Sequence, residues 1–229
     1  VGSITSSRLI QDPARGLAAA FVMEASADGG ALKTSRKGTS MYTVNVHGKA
    51  AHAGLEPEKG ANAGVELAHQ ILAIAGLGTG ATTVTPTVLS GGATLNTVPA
   101  FASVGVDVRV AEVAEQERVD AAMRALRPVL PGTRLEIVGG PNRPPLEASM
   151  SAALFARAQE LAAELGLPPL TSASVGGASD GNFTAGVGCP TLDGLGAVGG
   201  GAHADHEHVL VSELPGRTAL LRALIEAVR

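Results

Sequence analysis

Met41-Tyr42-Thr43-Val44-Asn45-Val46-His47 alternates β-branched or apolar residues with polar ones, and it opens the stretch that decides the fold. A period of two puts one set of side chains on one face, so the segment predicts a strand with a single buried side. Residues 62–75 continue with Val65, Leu67, Ala68, Ile71, Leu72 and Ala75 at helical spacing, which predicts an amphipathic helix. Residues 82–90 and 102–110 read as two more strands, the second setting Val104, Val106, Val108 and Val110 against Gly105, Asp107 and Arg109. A second helix is expected over 112–129, its acidic first turn suiting the positive end of the helix dipole, and a fourth strand over 134–138. The order βαββαβ is a split-βαβ, ferredoxin-like α+β unit, complete in itself.

On either side the pattern changes. Before it, residues 6–15 predict a short helix, 17–23 a continuous apolar run of the kind a buried strand gives, and 29–38 a polar, glycine-containing connection. Glu24 ends the apolar run, a poor place for a core carboxylate. After it, Gly139-Gly140-Pro141-Asn142-Arg143-Pro144-Pro145 reads as a rigid exit, 149–165 as a long amphipathic helix, 170–175 and 191–195 as strands, 180–185 as a short helix after a glycine turn, and 212–228 as a closing helix. The expected class is therefore α/β. Residues 1–37 and 146–229 form two pieces of one α/β domain, and 38–145 are an inserted α+β domain.

Composition narrows the partners. The chain has 229 residues, of which 45% are hydrophobic, and a formal net charge of −4, with no run of Lys and Arg interleaved with aromatics. Neither nucleic acid nor an anionic membrane surface is an implied partner, and no apolar run approaches the ~20 residues of a membrane span. A small solute is expected instead. Cys189, the single cysteine, rules out an intrachain disulfide framework. The sequence begins at Val1 with neither an initiator Met nor a basic-then-apolar leader, so this end leaves localisation unread, with the cytoplasm favoured.

The segment Gly199-Gly200-Gly201-Ala202-His203-Ala204-Asp205-His206-Glu207-His208 gathers imidazoles and carboxylates behind a glycine run. Those side chains are what Zn²⁺ prefers, although the spacing is not HExxH and no CxxC accompanies it. A solvated polar loop is the competing reading. Open α/β sheets collect ligands at one sheet edge, where Glu24 and His203 can meet.

At this point the residues carry a resemblance to a known family. Phe21-Val22-Met23-Glu24, Val46-His47-Gly48-Lys49-Ala50-Ala51-His52-Ala53-Gly54, Gly91-Gly92-Ala93-Thr94-Leu95-Asn96-Thr97-Val98-Pro99, Val106-Asp107-Val108-Arg109, Gly176-Gly177-Ala178-Ser179-Asp180 and Gly201-Ala202-His203 occur in the order found in the di-zinc aminoacylase and glutamate carboxypeptidase family. The resemblance covers nearly the whole chain. It implies that Glu24 is a terminal carboxylate ligand of one zinc and His203 a ligand of the other, with a surface or capping carboxylate as the alternative for Glu24. It implies that His52, acting in trans on a partner subunit, helps polarise the scissile carbonyl, as a neutral N–H donor or as an imidazolium. Asn96 resembles a substrate-binding residue and is otherwise a turn Asn. Arg143 resembles the arginine that holds the substrate carboxylate through its planar fork, and is otherwise a surface Arg of the hinge. Arg109 is a second candidate for that pocket, or a salt-bridge partner of Asp107. Gly176 and Gly177 belong to a turn whose N–H groups can cradle a carboxylate, or to a tight turn with Asp180 as helix cap.

Two departures qualify the resemblance. His206 and His208 have no counterpart role and read as surface or supporting groups. The His-x-Asp pair, bridging Asp and Glu-Glu of the family are absent, and Val1-Gly2-Ser3 resembles the stretch immediately downstream of that Glu-Glu pair. Two ligands and no base do not activate water. The expectation is a zinc-dependent hydrolase of amide or peptide bonds next to a free carboxylate, of glutamate carboxypeptidase or N-acyl amino acid amidohydrolase type. Two Zn ions per intact subunit, a homodimer and a small amide or peptide substrate go with it. This chain by itself is expected to be inactive, its metal site empty or weakly occupied. The alternatives are a non-catalytic dimerisation or small-ligand-binding protein derived from that family, and one half of a split enzyme.

Overall fold

The computed structural model describes residues 5–228 and divides into two compact units, one of residues 39–142 and one of the segments on either side of it. The chain runs α1 (Ser7–Ala14), β1 (Ala20–Phe21), β2 (Leu32–Arg36), β3 (Gly38–His47), α2 (Ala63–Ala75), β4 (Thr83–Gly91), β5 (Phe101–Val110), α3 (Val113–Ala125), β6 (Arg134–Arg143), α4 (Ala148–Glu164), β7 (Ser172–Val175), α5 (Gly181–Gly186), β8 (Thr191–Leu192), β9 (Gly199–Gly200), β10 (His208–Val209) and α6 (Leu214–Ala227).

In the central unit the sheet order is β4-β5-β3-β6, with β4 antiparallel to β5. Tyr42, Val44 and Val46 of β3 and Ala102 through Val110 of β5, at alternate positions, bury against Leu67 and Ile74 of α2 and Val119 and Met123 of α3. The predicted alternation is thus one face of a single core. Asn62 starts α2 by accepting the N–H groups of Gly64 and Val65 at 3.0 and 3.1 Å. α3 stops at Ala125, short of the expected 129, because Pro128 disfavours helix at the residue before it. β6 runs further than expected, to Arg143, through the segment read as a rigid exit. Gly139 makes that possible: its φ is +93°, and a Cβ there would collide with the carbonyl of Met41.

In the outer unit β1 pairs with β8 and β2 with β7, each in parallel, while β9 and β10 form an antiparallel hairpin. An isolated bridge between Lys33 and Asp193 joins the two parallel pairs. Leu32, Leu192 and Leu195 bury against Leu154, Ala158 and Leu161 of α4 and Leu220 and Leu224 of α6. Two expectations fail here. The apolar run 17–23 yields only the short, half-buried β1, with Leu17 and Met23 exposed, because β1 has a single strand neighbour, β8. The polar connection 29–38 contains β2, whose partner β7 is remote in sequence and whose Leu32 alone enters the core, so no local pattern marks it.

Candidate functional site

In the outer unit Glu24 lies just past β1 and is exposed. Its carbonyl accepts the N–H of Gly196 at 2.9 Å, and Ser26 N–H reaches the Ala197 carbonyl at 3.0 Å, so the chain beyond Glu24 is zipped to the chain that leads to His203. Gly196 has no room for a side chain, since a Cβ would lie 2.4 Å from the Met23 carbonyl oxygen. The β9–β10 hairpin then carries His203 at its tip, exposed, with its N–H 3.4 Å from Glu207 Oε2. Its φ is +65°, the sole left-handed backbone among the described non-glycine residues, and such strain concentrates at functional positions. His206 and His208 are exposed as well, and His208 Nδ1 lies 3.1 Å from the His206 carbonyl oxygen. The structure therefore brings the Glu24 and His203 segments together. Among the described residues, however, no three His, Cys, Asp or Glu side chains are grouped to hold a metal. The oxygen and nitrogen donors of Glu24 and His203 suit zinc in kind but do not by themselves make up a site.

Lys33, beside this edge, has its pKa lowered, first by burial and then by Arg36, with Asp193 and Glu24 opposing. Sequence reasoning missed it, along with the ion pair next to it. Arg36 donates to both oxygens of Asp193, Nε at 2.7 Å and Nη2 at 2.9 Å, and through Nη1 to the Gly177 carbonyl at 2.8 Å. Ser179 Oγ donates to Asp193 at 2.5 Å, and the amide of Asn182 donates to the carbonyls of Lys37 at 3.2 Å and Pro144 at 2.8 Å. Arg36, Asp193, Ser179 and Asn182 are all buried. The network fixes the 176–180 turn from behind and ties it to the segment that carries Arg143. The one signal in the sequence is a carboxylate, Asp193, between Leu192 and Leu195 in a segment expected to be a strand.

Arg143 stacks its guanidinium 4.8 Å from the centre of the Phe183 ring and places Nη2 3.2 Å from Asp180 Oδ1. The arginine and the glycine turn are therefore neighbours. Gly176 and Gly177 are exposed with open space where a Cβ would stand. The turn N–H at Gly181 is met by Ser179 Oγ at 3.1 Å, and Asp180 makes no side-chain cap to α5.

In the central unit Arg109 lies on the sheet face away from the helices and pairs in fork geometry with Asp107, at 2.8 and 2.9 Å. That bond raises its pKa, and of the two roles read from the sequence the salt bridge is the one observed. His52 and Asn96 sit on adjacent, paired segments. Ala53 N–H donates to the Asn96 carbonyl at 2.8 Å, Val98 N–H to the Ala51 carbonyl at 2.9 Å, and His52 bridges to Thr97 between them. Both side chains are exposed, and their adjacency was not visible in the sequence, where they are far apart.

Residues 34–130 match the peptidase dimerisation domain. Over 98% of its length the chain is 32% identical to carboxypeptidase G2 of a Pseudomonas species, of which it spans 56%. Among solved structures it is similar to aminopeptidase PepT of Bacillus cereus, with a TM-score of 0.72 and 22% identity over 97% of this chain and 62% of that one. It is also similar to a hydantoinase/carbamoylase-family amidase of Burkholderia phymatum, with a TM-score of 0.58 and 18% identity over 92% of this chain and 55% of that one. These last two likenesses are of fold.

Proposed function

We propose that this chain, which belongs to the aminoacylase and glutamate carboxypeptidase family of peptidases and amidohydrolases, supplies the dimerisation domain and the substrate-carboxylate site of a zinc-dependent hydrolase. The observation that carries the reading is the peptidase dimerisation domain inside a chain related over nearly its whole length to a carboxypeptidase. The substrate is an amide or peptide with a free carboxylate beside the scissile bond. Arg143, already oriented by Phe183 and Asp180, takes that carboxylate in a bidentate pair, and the exposed N–H groups of Gly176 and Gly177 line its other side. Open Cβ space at two adjacent glycines lets a ligand come against bare backbone. Glu24 and His203 would be two of the ligands of a zinc ion, which when bound would supply Lewis-acid polarisation of the carbonyl and of a water. The remaining ligands and the base are contributed by polypeptide outside this donor set.

His52 and Asn96 act from the central unit, and they do so on the active site of a second copy. The homodimer forms along β4, an edge of the sheet, where Val88 and Leu89 are exposed, and along α2, which exposes Val65 and Leu72.

Subunit mixing tests the whole reading. His52→Ala and Glu24→Ala are each expected to abolish hydrolysis of N-acyl glutamates by the intact enzyme. Mixed in equal amounts and allowed to exchange subunits, the two regain about a quarter of wild-type activity, since half of the dimers are heterodimers and each holds one site with both residues intact. No recovery under demonstrated exchange removes the role in trans.

A further inference from the structure

We propose that the turn after His52 fixes its tautomer, so that the imidazole presents Nε2–H outward as a donor; the catalytic consequence rests on the role proposed for His52 above. The backbone N–H groups of Gly54 and Leu55 both point at His52 Nδ1, each at 3.1 Å. A ring nitrogen that accepts N–H groups must offer its lone pair, so the proton of the neutral ring sits on Nε2. The same two donors occupy the position that a second proton on Nδ1 would need. Of the two tautomers of the neutral ring, the geometry selects the one protonated on Nε2.

The turn is itself held in place. Ala51 and Ala53, on either side of His52, are pinned to Val98 and Asn96 by backbone hydrogen bonds of 2.9 and 2.8 Å. Gly54 and Leu55 are thus positioning residues that act through their amides alone. The Leu55 side chain is 75% exposed and contributes nothing to the core. His52 cannot serve as a base or metal ligand through Nδ1, and what it offers a substrate is one directed N–H, the kind of preorganised donor that stabilises charge developing on a carbonyl oxygen.

Long-range proton–nitrogen NMR on the 229-residue chain reads the tautomer directly, with His52→Gln identifying the resonances. The expected result is an unprotonated Nδ1 and a protonated Nε2 in about tenfold excess or more, the bias that a hydrogen bond of ordinary net strength supplies. A proton on Nδ1, or comparable populations of both forms, overturns the proposal. Leu55→Pro, which deletes one donor, lowers the excess, while Leu55→Ala, which keeps it, does not. Equal excess in both variants also overturns it, and should Leu55→Pro fail to fold, the wild-type spectrum still decides. The tautomer is read without activity, so a fixed tautomer together with failed subunit complementation removes the role of His52 and leaves the turn's function standing.

Discussion

Glu66 lies fully buried on α2, where burial by itself pushes its carboxyl pKa up. The N–H of Leu130 at 2.7 Å, the Gln70 amide at 2.6 Å, the Val129 N–H at 3.0 Å and the Thr133 hydroxyl at 3.3 Å outweigh that and hold the pKa below the ordinary carboxylate range. A carboxylate whose folded pKa is depressed stabilises the fold above its unfolded value, near ~4.3, and that contribution is lost as pH falls from there through the folded value. Glu66→Gln is expected to cost about 1.5–3 kcal/mol at pH 7, and the gap from wild type narrows below pH ~4. Urea unfolding at a series of pH values measures it. A gap that stays constant down to acid pH contradicts the assignment. Cys189 shows the plainer case: it is a buried side chain, and burial alone pushes its thiol up.

Among the elements, β4 has the clearest unmet need. It lies at an edge of the sheet, and its last residues, beyond the register shift after Pro86, expose Val88 and Leu89, while α2 exposes Leu72 in the same unit. An apolar, unpaired edge is a template for another strand, and a charge placed on it is how proteins block such pairing. Leu89→Arg is accordingly expected to convert the proposed homodimer to a monomer in sedimentation velocity, with the thermal midpoint of the monomer unaltered because the side chain is not in the core. A dimer that survives Leu89→Arg and Leu72→Arg together rules this face out. The elements also show where local reading works. β3, α2 and β5 announced themselves because their periodicity is produced by one core that all of them face. β2 did not, because its one buried apolar side chain makes no pattern, and its partner lies across the inserted segment.

For the whole molecule, the donor inventory sets the expectation for metal. Glu24 and His203 lie on segments that are bonded to each other, but the described residues group no third ligand with them. Two donors supply a small part of the ~10–16 kcal/mol that a full structural zinc site provides, so calorimetric titration of this chain with Zn²⁺ is expected to show no binding tighter than micromolar. Nanomolar binding abolished by His203→Ala would mean the chain completes a site unaided. No helix among the described residues is long and apolar enough to cross a membrane. The sequence by itself determined the βαββαβ order, the α/β character of the flanking segments, and the family, since these rest on hydrophobic period and on motifs contiguous in the chain. Only the tertiary structure decided which chemical groups meet. Arg36 and Asp193 share a buried bond across 157 positions, and Arg143 reaches Asp180 and Phe183 across strand and helix. Pairing of that kind depends on distance in space, and a one-dimensional pattern encodes only distance along the chain.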